Sequence, residues 1–118
     1  MSTINTPTLA LLERYLNLAT VRQALISGNL ANIDTPGYKT VDIDFQREMS
    51  RALSEPAGTM AMVEQVQGLI QRPDGNNVNV DRESLLLSQT QMQFTAAIQL
   101  MRAEFRNLTD AISGGTGS

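Results

Sequence analysis

The end of the chain carries a heptad seam that leaves few folds open to it. Leu87, Phe94, Ile98, Met101, Phe105, Leu108 and Ile112 follow one another at steps of seven, four, three, four, three and four. That is the spacing of a coiled-coil stripe. A helix so marked over roughly 30 residues is about 45 Å long, and something must cover it along its length. Asp81 is placed to cap its start, with Glu83 in the first turn where negative charge is favoured. Ser113-Gly114-Gly115 is placed to stop it.

A second helix of similar character opens the chain. Thr6 suits the N-cap and Pro7 the first helical position, where a missing N–H costs nothing. Leu9, Leu12, Leu16, Ala19, Ile26, Leu30 and Ile33 then form a seam at steps of three, four and seven, with Gln23 as its polar member. The helix is predicted over residues 7–33, about 40 Å. Leu11, Leu18 and Leu25 make another apolar line beside the seam, so the helix is expected to be buried on more than one side. Its covering is either a small bundle or neighbouring molecules. Ser27, Gly28 and Ala31 form a small-residue patch. Glycine costs about 1 kcal/mol against alanine inside a helix, which suggests another backbone approaching Gly28 closely.

Asn32-Ile33-Asp34-Thr35-Pro36-Gly37-Tyr38-Lys39 shuts this helix off. Proline disfavours the helical region at Thr35, and Pro36-Gly37 suits the centre of a type II turn. Asn32 and Asp34 can bond nearby backbone groups as the helix unwinds. Beyond the turn, Val41, Ile43 and Phe45 alternate with Asp42, Asp44 and Gln46, predicting a short strand. Arg47 to Leu53 suggests a helical turn or two, residues 55–59 a loop, and Val63 to Gln71 extended chain. Pro73-Asp74-Gly75-Asn76 is a turn signal, predicting a hairpin of about residues 66–72 with 77–80. The Asp/Asn density there does not make a calcium loop. With Asp74 at loop position one, Val78 falls on a ligand position and the turn glycine is missing.

The fold class is therefore mainly α, with long N- and C-terminal helices pairing as a coiled-coil-like layer and a short extended and β-hairpin middle. Residues 1–33 and 82–115 form one discontinuous helical domain, and residues 34–81 an insert. The 118 residues are 42% hydrophobic but only 4% aromatic, without Trp, which is the composition of helix seams. Cys and His are absent, so disulfides, thiolate nucleophiles, Cys/His zinc sites and His-based triads are excluded. The net charge of −3 comes without the basic cluster that nucleic acid requires. No catalytic, metal or cofactor set emerges, and no cofactor is expected. No Sec signal and no membrane span is visible.

Two motifs taken together point to a family. Ser27-Gly28-Asn29-Leu30-Ala31-Asn32-Ile33-Asp34-Thr35-Pro36-Gly37-Tyr38-Lys39 resembles the N-terminal signature shared by bacterial flagellar rod and hook proteins. Asp74-Gly75-Asn76-Asn77-Val78-Asn79-Val80-Asp81-Arg82-Glu83 is similar to the segment that marks the proximal-rod member of that family, as is Phe105 to Gly115. The resemblance runs from about Leu9 to Gly115. It implies a structural, non-enzymatic subunit of the basal-body rod that assembles helically around the export channel and transmits torque. It further implies type III export without a cleaved signal. The partners it implies are copies of itself, the rod proteins FlgC and FlgF, the adapter FliE, the ring protein FliF and the export apparatus. Asn29, Asn32, Asp34, Thr35, Pro36, Gly37 and Tyr38 then read as an assembly motif. Asp74, Gly75, Asn76, Asn77, Asp81 and Glu83 read as a hairpin and cap motif.

Two other readings share parts of this pattern. A small helical adaptor or export chaperone would need the amphipathic arms but not the paired turn motifs. An enzyme built on Asp42, Asp44 and Glu48 would need a nucleophile or metal set beside them. Acidic residues on a strand's polar face are ordinarily solvated.

Overall fold

In the computed structural model, residues 6–56 and 58–117 are described, with residues 115–117 in backbone only; residue 57 of the expected loop and residues 1–5 of the expected helical domain lie outside the described residues. The elements in chain order are α1 (Pro7–Ala31), β1 (Val41–Ile43), α2 (Phe45–Arg51), β2 (Val63–Gln65) and α3 (Val80–Gly117). The molecule is a rod, 71 × 26 × 20 Å. Its long axis is set by α1 and α3, which pack side by side and antiparallel.

α1 begins as its sequence predicts. Thr6 Oγ accepts the Leu9 N–H at 3.1 Å and Pro7 takes the first turn. It ends at Ala31, and Asn32 closes it by donating its side-chain amide to the Gly28 carbonyl at 2.8 Å. The seam residues Leu9 and Ile26 are buried, and Leu12, Leu16 and Leu30 half-buried.

The second apolar line has a covering that the periodicity left open: the chain's own middle. Tyr15 meets Phe45 edge-on with ring centroids 5.0 Å apart, Arg22 grips Asp42, and Asn29 bonds Val41. These three α1 residues stand seven apart, and Leu18 between them is fully buried. Only Leu11, at the far end of that line, stays exposed. A β-carbon added to Gly28 would meet nothing within 4 Å beyond the adjoining turns of its own helix, so the close backbone approach expected there does not occur within the chain.

α3 corrects the expected seam. Leu87, Phe94, Ile98, Met101 and Leu108 are half-buried, while Phe105 and Ile112 are exposed. Its deepest positions are Glu83, Thr90 and Ala97, which also stand seven apart. None of the three is a large apolar residue, so the heptad of large side chains does not include them. Small side chains let the arms approach closely, and Thr90 satisfies its hydroxyl on the Leu86 carbonyl at 2.7 Å. Phe105, level with the start of α1, and Ile112, beyond it, are exposed, whereas Leu108 between them is half-buried. Twenty-two residues separate Asn29 from Pro7, and the same number carries α3 from Glu83 to residue 105. Beyond that level α3 overhangs by about 18 Å at 1.5 Å per residue.

Both ends of α3 also differ from expectation. The cap is Asn79, whose Oδ1 accepts the Arg82 N–H at 3.0 Å, while Asp81 lies exposed within the first turn. The helix continues through Ser113 and Gly114 to Gly117. Glycine permits a left-handed stop without imposing one, and Gly114 is not among the glycines with positive φ.

In the middle, β1 pairs antiparallel with β2, with Val41 opposite Gln65 and Ile43 opposite Val63. The expected hairpin of residues 66–72 with 77–80 is replaced by this longer-range pairing. Around the turn, the Arg72 N–H does reach the Asn76 carbonyl at 2.8 Å. Residue 77 instead lies along the chain after α1, where its N–H reaches the Tyr38 carbonyl at 3.3 Å. The acidic residues at positions 42, 44 and 48 are not all solvated. Asp44 is exposed and caps α2, but Asp42 and Glu48 are buried.

Glu48 fixes α2 against α1. It lies 2.8 Å from Arg51, 3.3 Å from Arg47 and 3.9 Å from Arg14 of α1. Burial by itself would push its carboxyl up. The hydrogen bonds from Arg51 and Arg47, then that from the Met62 backbone, hold it below its ordinary value of 4.5. A carboxyl lowered in the folded state stabilises fully above its unfolded value, and the contribution is lost as pH falls through the folded one. Acid titration of the urea midpoint should therefore fall steeply below about pH 4.5. Glu48→Gln should flatten that fall; an unchanged slope would place the acid sensitivity elsewhere.

Candidate functional site

Where α1 ends and α3 begins, the two sequence motifs fold onto one another. Pro36-Gly37 makes the expected turn: the Tyr38 N–H closes on the Thr35 carbonyl at 3.2 Å, and Gly37 has φ +76°. The Arg72–Gly75 turn is closed at 2.9 Å, with Gly75 at φ +90°. The two turns lie back to back. The Gly37 N–H donates to the Asp74 carbonyl at 2.9 Å, and a β-carbon on Gly75 would sit 3.2 Å from the Gly37 Cα.

Three asparagines lock this corner. Asn76, fully buried, donates its side-chain amide to the Asn32 and Thr35 carbonyls, both at 2.9 Å, while its Oδ1 accepts the Val78 N–H at 2.8 Å. These carbonyls belong to the unwinding end of α1 and also accept the Thr35 and Tyr38 N–H groups at 3.0 and 3.2 Å, so Asn76 adds a second bond to each. Asn77 Oδ1 accepts the Thr40 N–H at 2.7 Å. Asn29, also fully buried, joins three elements. Its amide donates to the Val41 carbonyl at 2.9 Å and to Glu83 Oε1 at 2.8 Å. Its Oδ1 accepts the Tyr38 hydroxyl at 2.9 Å and the Val41 N–H at 3.2 Å. All four hydrogen-bonding positions of the amide are used.

The charges at the corner are paired to match. Glu83 is fully buried in the first turn of α3 and also takes Arg82 at 2.6 Å. Asp42 receives a two-pronged grip from Arg22, at 3.1 and 3.0 Å, and a third contact from Arg82 at 2.9 Å. Such fork geometry is the strong form of the ion pair. Burial, and then the nearby Glu83 charge, push the Tyr38 phenol up, which keeps it protonated as the donor Asn29 requires.

Of the residues singled out in the sequence, Asn29, Asn32, Thr35, Gly37 and Tyr38 meet Asp74, Gly75, Asn76, Asn77 and Glu83 here. Asp34, Pro36 and Asp81 are exposed and bond none of the other motif. Arg22, Thr40, Arg72 and Arg82 belong to the corner without having been singled out, and Asp42 belongs to it although the sequence reads it as a solvated strand carboxylate; Arg72 donates to the Ile33 carbonyl. A signal for Arg22 was present, since it stands seven residues before Asn29. Asp42 gave none, because its partners come from both arms. Among the described residues no group of His, Cys, Asp or Glu is arranged to hold a metal ion.

The geometry defines a class of protein: paired helical arms whose crossing is set by a polar lock, with the buried carboxylates committed to that lock. Comparison with known proteins gives the family. Residues 15–39 match the family model described as flagella basal body rod protein. The flagellar basal body rod protein FlgB of Bacillus subtilis (strain 168) is 33% identical over 88% of this chain and 92% of its own length. FlgB of Escherichia coli (strain K12) is 26% identical over 87% of this chain and 91% of its own. The chain belongs to the FlgB family of flagellar basal body rod proteins.

Proposed function

We propose that this chain is a structural subunit of the proximal rod, assembling helically around the export channel to join the membrane ring to the distal rod and carry torque. The observation that carries this reading is the corner lock. A shaft subunit must hold the angle between its arms under load, and here fully buried amides and ion pairs fix that angle. Family membership supports a place in the basal-body rod and association with other rod components. FlgC, FlgF, the adapter FliE, the ring protein FliF and the type III export apparatus are the partners proposed. Residues 1–33 and 82–115 would form the rod core, with residues 34–81 an insert leaning on α1. The subunit would work in the periplasmic space, having been exported without a cleaved signal. Among the described residues, no helix is long and apolar enough to cross a membrane.

The role is non-catalytic in this reading, since Asp42, Glu48 and Glu83 are each engaged by arginine or asparagine. Basal bodies isolated from a deletion strain test it. Rings without rods, in cells that do not swim, are the expected result. Intact rods would overturn the proposal.

A further inference from the structure

The first half of α1 and the segment after α2 enclose an open groove of about 700 Å³, a size that takes a few large side chains. Its lining is mainly apolar, with Leu11 from α1 and Leu53, Met60 and Val63 from the segment, while its Arg14 and Glu55 are already paired with Glu48 and Arg51. Leu53 is 76% exposed and Met60 85%, so the described residues leave this surface largely uncovered. Glu13 stands at the groove's edge, without an ion pair among the described residues.

The α3 overhang carries a complementary surface. Phe105 is 41% exposed and Ile112 57%, and a spacing of seven sets them on one helix face. Arg102, three residues before Phe105, neighbours it on that face and has no ion pair among the described residues. No described residue of α3 lines the groove of its own copy, and the end of α3 runs past Pro7. A knob and a groove on different surfaces of one molecule make a heterologous contact, which repeats without closing when the rotation does not return to the start.

We infer that Phe105 and Ile112 on the α3 overhang of one copy dock in the α1–Leu53–Met60 groove of a second copy, with Arg102 set against Glu13. This rests on the rod-subunit reading and adds the surfaces through which copies meet. The charge match favours a second copy over an unrelated helix, since neither member of the pair has an ion pair among the described residues of the same chain.

The chain has no cysteine, so engineered disulfides report the contact cleanly. Full-length Leu53→Cys and Ile112→Cys chains, mixed under mild oxidation, should give a disulfide-linked mixed dimer, while neither variant links to itself. Arg102→Glu and Glu13→Arg should each weaken self-association measured by sedimentation about two- to five-fold, and the double reversal should restore it. Phe105→Asp should abolish it while leaving the circular dichroism spectrum unchanged. Self-linking of either single variant would mean an isologous contact and overturn the inference. So would a chain that stays monomeric at all concentrations, or oligomers that give no mixed dimer. Linkage of Leu53→Cys only to another rod protein's helix would assign the groove to that partner and equally overturn it. Missing rods in the deletion strain together with no mixed dimer would remove this docking surface alone; intact rods would remove the rod reading itself.

Discussion

Replacing Asn29 by alanine is expected to cost about 3–5 kcal/mol, near the upper end for a single substitution. The amide makes four hydrogen bonds from a fully buried position. Truncation leaves the Val41 N–H and carbonyl, the Tyr38 hydroxyl and one oxygen of Glu83 without that partner. A net hydrogen bond contributes about 1 kcal/mol, but an orphaned buried group costs about 1–3 kcal/mol. Asn29→Asp keeps the shape and should be at least as damaging, because it removes both donors and sets a second carboxylate beside Glu83. Urea unfolding followed by circular dichroism measures both. A loss below about 1 kcal/mol for Asn29→Ala would show that the corner does not depend on this amide. Swimming should fail with it, because an arm angle that drifts prevents regular packing.

The second large effect is expected at Gly75. Its φ of +90° is one that β-branched residues rarely adopt, and the space for a β-carbon is bounded by the Gly37 Cα at 3.2 Å. That neighbour is backbone and cannot rotate aside. Gly75→Val should therefore combine about 1–2 kcal/mol of conformational cost with separation of the two turns, for a total of about 2–4 kcal/mol. Gly37→Val is the control. It shares the positive φ, but its β-carbon direction is open, so it should cost only the conformational part. Equal losses at the two sites would mean that the back-to-back contact of the turns contributes nothing.

These two substitutions also show why the corner matters to an assembly. Asn29, Asn76 and the Gly37–Gly75 contact join the end of one arm to the start of the other. The overhang of α3 is a lever reaching more than about 50 Å from that corner at 1.5 Å per residue. A small change of angle at the corner displaces Phe105 and Ile112 by several times the shift at the corner itself. The lock is therefore most needed at the place farthest from the proposed docking surface.

What the sequence determined by itself is everything governed by local rules. The N-cap at Thr6-Pro7, the end of α1 near Asn32, the positive φ at Gly37 and the existence of two long amphipathic arms follow from capping, turn chemistry and periodicity. So do the two motifs, since their residues are adjacent in the chain. Tertiary structure decided what those rules do not reach. Periodicity showed a second apolar line on α1 but not that residues 41–48 cover it, because a helix face carries no label for its partner. Glu83, Thr90 and Ala97 carry no large apolar side chain to mark them, and they are buried because the arms need small or satisfied side chains where they come close. Phe105 and Ile112 kept the seam's spacing but are exposed, since the spacing of a seam does not say how far its partner helix extends. Asp42 looked like a solvated strand residue until Arg22 and Arg82 arrived from opposite arms. A carboxylate is buried or exposed according to whether its counter-charges converge on it, and only the folded chain brings them there.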